Sequence, residues 1–170
     1  LPDMVVLGKP VGSGHPVGVV ITTEDIAASF ANGMEFFSTF GGTTLACEIG
    51  AEVLCIVDDE GLQQNAQLQG QRLRDGLRQL QQRHMLIGDV RGRGLFLGVE
   101  LVTDRATKDP ATALAGYVSN RLRDHRILIG TDGPHDNVLK IRPPLTIGAA
   151  DCELLLASLD DILLEADLLN

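Results

Sequence analysis

Two β-branched runs open the chain, MVVLG and VGVVITT, and the glycine-rich loop between them predicts strand, turn, strand. Thr23, followed by Glu24, Asp25 and the apolar Ile26, Ala27 and Phe30, predicts an N-cap and the acidic first turn of a short helix. FSTFGG then breaks the pattern as a turn. From Thr43 or Thr44 the apolar positions Leu45, Ile49, Val53 and Ile56 recur at helical spacing, and Leu62, Ala66, Leu73, Leu77 and Leu80 continue in a second, longer helix. These two helices are expected to carry most of the apolar core.

The period then switches to two. In DVRGRGLFLGVEL, Leu95, Leu97, Val99 and Leu101 fall on one face and Gly94, Phe96, Gly98 and Glu100 on the other, which predicts one strand with arginines flanking its entry. Asp109-Pro110 opens another helix, with proline at its first position and Leu114, Val118 and Leu122 on one side. ILIGT, a TDGPHDN turn and the strand VLKIRPPL, stopped by Pro143-Pro144, lead to a last helix from about Ala149 to Leu168. There is no internal repeat, low-complexity tract or linker, so strands and helices interleave in an α/β or α+β arrangement.

Composition narrows the partners. The 170 residues are 44% apolar, and no apolar run approaches the roughly 20 residues a membrane-spanning helix requires. Fourteen Lys and Arg against 23 Asp and Glu give a formal charge of −9 without a basic cluster, which speaks against nucleic acid or anionic lipid and for small molecules or protein. Cys47, Cys55 and Cys152 are odd in number and form no Cys-x-x-Cys pair; they suit reduced, buried thiols and a cytoplasmic protein. His15, His84, His125 and His135 are scattered, with no His-Glu-x-x-His and no carboxylate pair at ligand spacing, so no metal is expected. Ser13 has no signature of a partnered base. LPDMVVLG lacks an initiator Met, a basic segment and a signal-type apolar segment, and looks like the start of an excised piece of a longer polypeptide.

LGKPVGSGHPVG sets Lys9 among glycines and prolines. A lysine amine deprotonated near neutral pH and held against a carbonyl forms a Schiff base. Pro10 pushes the Lys9 backbone toward an extended conformation, and Gly8, Gly12 and Gly14 allow close approach. Taken alone, the loop is equally an exposed turn with a solvated lysine. It is a poor nucleotide loop, because GSGHPV lacks the third glycine of Gly-x-Gly-x-x-Gly.

PDMVVLGKPVGSGHPVGVVITT, STFGGTTLACEIGAEVL, VRGRGLFLGVEL and LKIRPPLTI, in this order and spacing, resemble the C-terminal half of the class III aminotransferases, pyridoxal-phosphate enzymes of fold type I. The resemblance covers nearly the whole chain. It implies that residues 1–60 are the end of the large, cofactor-binding domain and residues 61–170 a small C-terminal α/β domain. By the same resemblance Lys9 forms the internal aldimine with pyridoxal phosphate and shuttles the proton at the substrate carbon, and Thr39 reaches the cofactor phosphate of the other subunit of a homodimer. Arg91, Arg93 and Glu100 belong to the family's Arg-Gly-x-Gly-Leu strand, where loop carbonyls or a surface ion pair account for them better than catalysis.

Lys140 departs from the family pattern. Class III transaminases typically carry Arg there, where a planar fork clamps a substrate carboxylate. The related phospho-lyases that act on phosphoethanolamine or phosphohydroxylysine carry Lys, and share GKPxGxGHP and TDGP, present here at Lys9 to Pro16 and Thr131 to Pro134. Arg142 adds positive charge nearby. The resemblance therefore implies a small-molecule primary amine as substrate and phosphate elimination as the favoured reaction, with ordinary transamination to a keto acid as the alternative. A non-catalytic assembly remnant of the same fold is a second alternative. The phosphate loop, ring-stacking aromatic and pyridine-pairing acid of the family's N-terminal half are not among these 170 residues, so this piece alone is expected to be inactive.

Overall fold

The computed structural model describes residues 1–168, which fall into two compact units, Leu1–Gly61 and a second beginning at Leu62.

In the first unit, β1 (Met4–Leu7) and β2 (Val19–Thr22) pair antiparallel, from Met4 opposite Thr22 to Leu7 opposite Val19. α1 (Glu24–Phe30) follows Thr23, which stands at the N-cap position without a side-chain cap bond. α2 (Thr44–Asp59) completes the unit. The expectation that α2 shares most of the core is corrected here: it buries Ala46 and Gly50, whereas Leu45, Leu54 and Ile56 are exposed. Its apolar residues are spread around the helix, and periodicity alone does not say which of them a neighbour covers. Cys47 and Cys55, on the same helix, are also exposed, so of the three free thiols only Cys152 is buried.

The second unit holds the core. α3 (Leu62–Arg83) presents Leu73, Leu77 and Leu80, α4 (Thr112–Asp124) presents Ala115, Val118 and Leu122, and α5 (Ala149–Leu168) presents Leu155, Leu159, Ile162 and Leu163. All three pack on one face of an antiparallel sheet ordered β3 (Ile87–Arg93), β4 (Phe96–Leu101), β6 (Val138–Ile141), β5 (Gly130–Asp132). Leu97, Val99 and Leu101 meet that cluster as alternation predicts, with Leu139 and Ile141 beside them, each burial contributing about 1.5–3 kcal/mol.

Polar ties fix the helices. His84, at the end of α3, is buried with Nε2 2.6 Å from Asp160 on α5. Arg105 donates to the carbonyls of Ile87 at 2.9 Å and His84 at 2.6 Å, and also to that of Gln81. Such bonds let buried carbonyls at a helix end find partners.

Three local expectations change. The single strand expected for DVRGRGLFLGVEL is a hairpin: Gly92 and Gly94 have φ of 129° and 54°, and the chain reverses between Arg93 and Phe96. Pro110 bridges Val102, and α4 begins two residues later at Thr112. Lys9 is not extended; it opens a 3-10 turn, Lys9–Gly12, closed by Val11 N–H to the Gly8 carbonyl at 3.1 Å and Ser13 N–H to that of Pro10 at 3.1 Å. Proline costs nothing there, because its missing N–H would have had no partner in a first turn.

Candidate active site

Lys9 and Thr39 belong to the first unit and Lys140 to the second. Lys9 is exposed on the 3-10 turn, behind which Val11 and Gly12 are buried. A Cβ at Gly12 would lie 2.6 Å from Val17 Cγ1, so glycine lets the loop fold closely back on Val17, just ahead of β2. His15 is half-buried and its N–H closes the loop on the Gly12 carbonyl at 2.9 Å.

Thr39 is exposed in the bend ahead of α2. The bend is held by Gly41 N–H donating to Ser38 Oγ at 3.0 Å, and Gly42 takes φ +70°. Thr43 makes no side-chain cap bond, so the first N–H groups of α2 are not capped by it, beside an exposed hydroxyl. That donor set suits a phosphate dianion. A cleft of about 770 Å³ within the first unit is walled by Val11, Ser38, Phe40, Gly42 and Ala46. Its lining takes in the residues on either side of Thr39, and the lysine turn contributes Val11.

Lys140 lies at the centre of the sheet face opposite the helices. Its neighbours across the strands are Gly98 on β4 and Gly130 on β5. Neither has a side chain, and a Cβ added at Gly130 would meet nothing within 4 Å. The Lys140 ammonium is bonded to Asp132 Oδ2, while Asp132 Oδ1 accepts from Gly133 N–H at 2.8 Å. The bond from Lys140, and after it that from Gly133, hold the Asp132 carboxyl below its ordinary value of 3.8; the charge of Arg142 acts in the same direction.

Two cavities meet at this lysine. One, about 390 Å³, runs over the sheet between Arg91, Phe96, Gly98, Asp132 and Lys140. The other, about 330 Å³, is lined by Lys140, Arg142, Arg126, Ile147, Leu154 and the carboxylate-bearing Asp151, whose Oδ2 accepts from Gly148 N–H at 3.2 Å. Arg91 bonds Asp89 at 2.9 Å and also Glu100, the surface ion pair expected for this strand. Arg142 makes no ion pair among the described residues. The partnership of Lys140 with Asp132 is not among the expectations from the sequence, where TDGP figures as a turn and as a stretch shared with the phospho-lyases. The signal was the hairpin register, which puts Asp132 opposite Val138 and so diagonal to Lys140.

Among the described residues no helix is long and apolar enough to cross a membrane.

The family model described as Aminotransferase class-III matches residues 1–163. An alanine–glyoxylate aminotransferase 2-like protein of Drosophila melanogaster is 46% identical over 147 residues, covering 85% of this chain and 30% of that protein. Ethanolamine-phosphate phospho-lyase homolog 1 of Caenorhabditis elegans is 42% identical over 164 residues, 96% of this chain and 35% of its own. This chain thus spans about a third of the length of these relatives. Among solved structures, a phospholyase from Arthrobacter in complex with phosphoethanolamine superposes with a TM-score of 0.91 at 39% identity, over 96% of this chain and 39% of that one. The mixed α/β fold expected from the sequence, that of fold-type-I aminotransferases, is borne out.

Proposed function

Because the chain belongs to the class III aminotransferase family, we propose that it is part of a pyridoxal-phosphate enzyme that eliminates phosphate from a small phosphorylated primary amine. The observation that carries this reading is Lys140: a point-like ammonium, where a carboxylate clamp calls for the planar fork of arginine, standing on an open sheet face beside Arg142. The likeness to proteins named phospho-lyases supports it. Residues 1–60 are then the end of the cofactor-binding domain and residues 61–170 the small domain of a homodimer, working in a reducing compartment such as the cytoplasm.

The residues present fit the cofactor. Lys9 offers an exposed amine on a turn braced by Val11 and Gly12, and Thr39 offers a hydroxyl beside the N-terminus of α2 for the phosphate of the partner subunit's cofactor. When bound, pyridoxal phosphate supplies an electron-poor ring that accepts the electron pair left as the carbon next to the amine loses its proton. Lys9 holds the cofactor and, as the base, takes that proton at its Nζ. Lys140, with Arg142 nearby, binds the anionic end of the substrate and orients the carbon–oxygen bond that breaks. Phosphate leaves with the bonding electrons, and hydrolysis of what remains yields an aldehyde and ammonia, so no keto acid is consumed.

The test uses the full-length enzyme with phosphoethanolamine and no keto acid, measuring phosphate and aldehyde. Release of both in equal amounts is expected. No release, together with brisk amine transfer to pyruvate or 2-oxoglutarate, would establish an ordinary transaminase. Neither activity in a protein that binds the cofactor would point to the non-catalytic remnant.

A further inference from the structure

We propose that Asp132 is the resident counter-ion of Lys140, exchanging the ammonium with the anionic group of the substrate and thereby keeping the affinity for released phosphate low. The inference rests on the assignment of Lys140 as the anion contact.

Three features of the sheet carry it. Both Asp132 oxygens are committed: the Gly133 N–H fixes the aim of the carboxylate at 2.8 Å, and Lys140 takes the other oxygen. Of the two partners only the lysine is free to leave, since it stands on a long flexible stem while the N–H belongs to the turn. Next, that stem is flanked on both neighbouring strands by glycine, Gly98 and Gly130, so directly across the strands no side chain blocks its movement, with Val138 and Arg91 the nearest side chains beside Gly98. Finally, Lys140 lines both cavities, the one over the sheet and the one that reaches Asp151 and Leu154 of α5, whereas Asp132 lines only the one with Phe96. An anion in the cavity beside Arg142 therefore draws Lys140 away from Asp132.

The pair is not needed as a brace. Asp132 and Lys140 stand on strands already joined by their backbone ladder, Gly130 opposite Lys140 and Asp132 opposite Val138. At side-chain exposures of 30% for Lys140 and 54% for Asp132, the attraction is screened and cheap to break. A carboxylate so placed returns the lysine to its resting position when phosphate departs, and competes with phosphate for it meanwhile.

The experiment measures inorganic phosphate binding to the full-length holoenzyme, both as competitive inhibition and by calorimetry, which does not depend on turnover. Asp132→Asn keeps an oxygen for the Gly133 N–H but removes the charge, and phosphate should bind about two- to fivefold more tightly. Asp132→Ser, which also keeps an acceptor for the turn, should act in the same direction if the first variant folds poorly. Asp132→Glu should restore weaker binding, and the gain from Asp132→Asn should vanish in a Lys140→Ala background. Unchanged or weaker phosphate binding in both uncharged variants, with Lys140→Ala still impairing it, overturns the counter-ion role alone. If Lys140→Ala leaves phosphate binding at the wild-type level, the anion-contact assignment falls and the counter-ion role with it.

Discussion

Adding one methyl group at either of two helical glycines should change stability in opposite directions. Gly70 lies in the middle of α3, where alanine is ordinarily better than glycine by about 1 kcal/mol. A Cβ there, however, would sit 2.2 Å from the carbonyl oxygen of Gly94, 2.3 Å from its carbonyl carbon and 2.7 Å from its Cα. Ordinary contact distances are about 3.5–4.0 Å, so helix and turn must part by more than about 1 Å. The obstacle is backbone and has no rotamer to escape into. Overpacking of this kind costs about 1–3 kcal/mol, and with three atoms this close the upper end applies, leaving a net loss of about 2 kcal/mol for Gly70→Ala. Gly116, on α4, has nothing within 4 Å of the added Cβ, so Gly116→Ala should gain about 1 kcal/mol. Urea and thermal unfolding followed by circular dichroism read both, with about 4–8 °C of melting temperature for each kcal/mol in a unit of this size. The same turn sets Arg91 and Phe96 at the rim of the sheet-face cavity, so Gly70→Ala should also perturb their resonances. If both alanine variants are stabilised, the hairpin turn is not rigidly seated on α3 and the account of the Gly70 contact is wrong.

Three further outcomes are expected. Arg121 on α4 grips Glu165 on α5 through Nε and a terminal nitrogen, both at 3.0 Å, which holds the Glu165 carboxyl below its ordinary 4.5. Stability from that pair is present above pH 4.5 and lost as pH falls through the lowered value, so the difference between wild type and Glu165→Gln should be largest near neutrality and vanish in acid unfolding curves. Lys9→Ala in the full-length enzyme should lower turnover by at least about 10²–10⁴-fold while leaving the circular dichroism spectrum unchanged; near-normal rates without added amine would remove Lys9 from the chemistry. Residues 62–170 made alone should unfold cooperatively, with slow amide exchange at Leu73, Leu139 and Leu163, whereas residues 1–61 alone should show no protected core; a cooperative transition in the shorter piece would contradict the burial pattern.

What was legible in the sequence followed from period. The last helix, expected from about Ala149 to Leu168, runs over that span as α5, and Leu73, Leu77 and Leu80 mark the buried face of α3 as their spacing predicts. Leu97, Val99 and Leu101 likewise declared their face of β4. Misread elements were those in which backbone geometry decided. RGRG scans as the entry to one strand, yet Gly92, whose added Cβ would lie 2.1 Å from the Phe96 carbonyl oxygen, and Gly94 make the tightest hairpin in the sheet. The turn at Lys9 overrode the preference of a residue before proline because two hydrogen bonds close it. The Lys140 environment required knowing that the β5–β6 loop, with Gly133 and Asp136 both at positive φ, sets Gly130 and not a larger residue opposite the lysine.

The two units differ in what they can do unaided. The second buries a continuous cluster that joins three helices to the sheet, and from it Lys140 projects on a strand fixed on both edges by backbone pairing. The first carries Lys9 and Thr39, but among its described apolar residues only Val11 and Ala46 are buried, while Val6, Ile21, Phe36, Phe40 and Leu54 are exposed. Chemistry at a lysine amine needs the side chain held within about 0.5 Å of its productive place, and that precision comes from packing around the turn that bears it. Burial of two small side chains does not supply such packing. The proposed role of Lys9 therefore requires the apolar surface around the lysine turn to be covered, which assigns the proposed activity to the longer protein, whereas Lys140 stands on a strand already fixed within this chain.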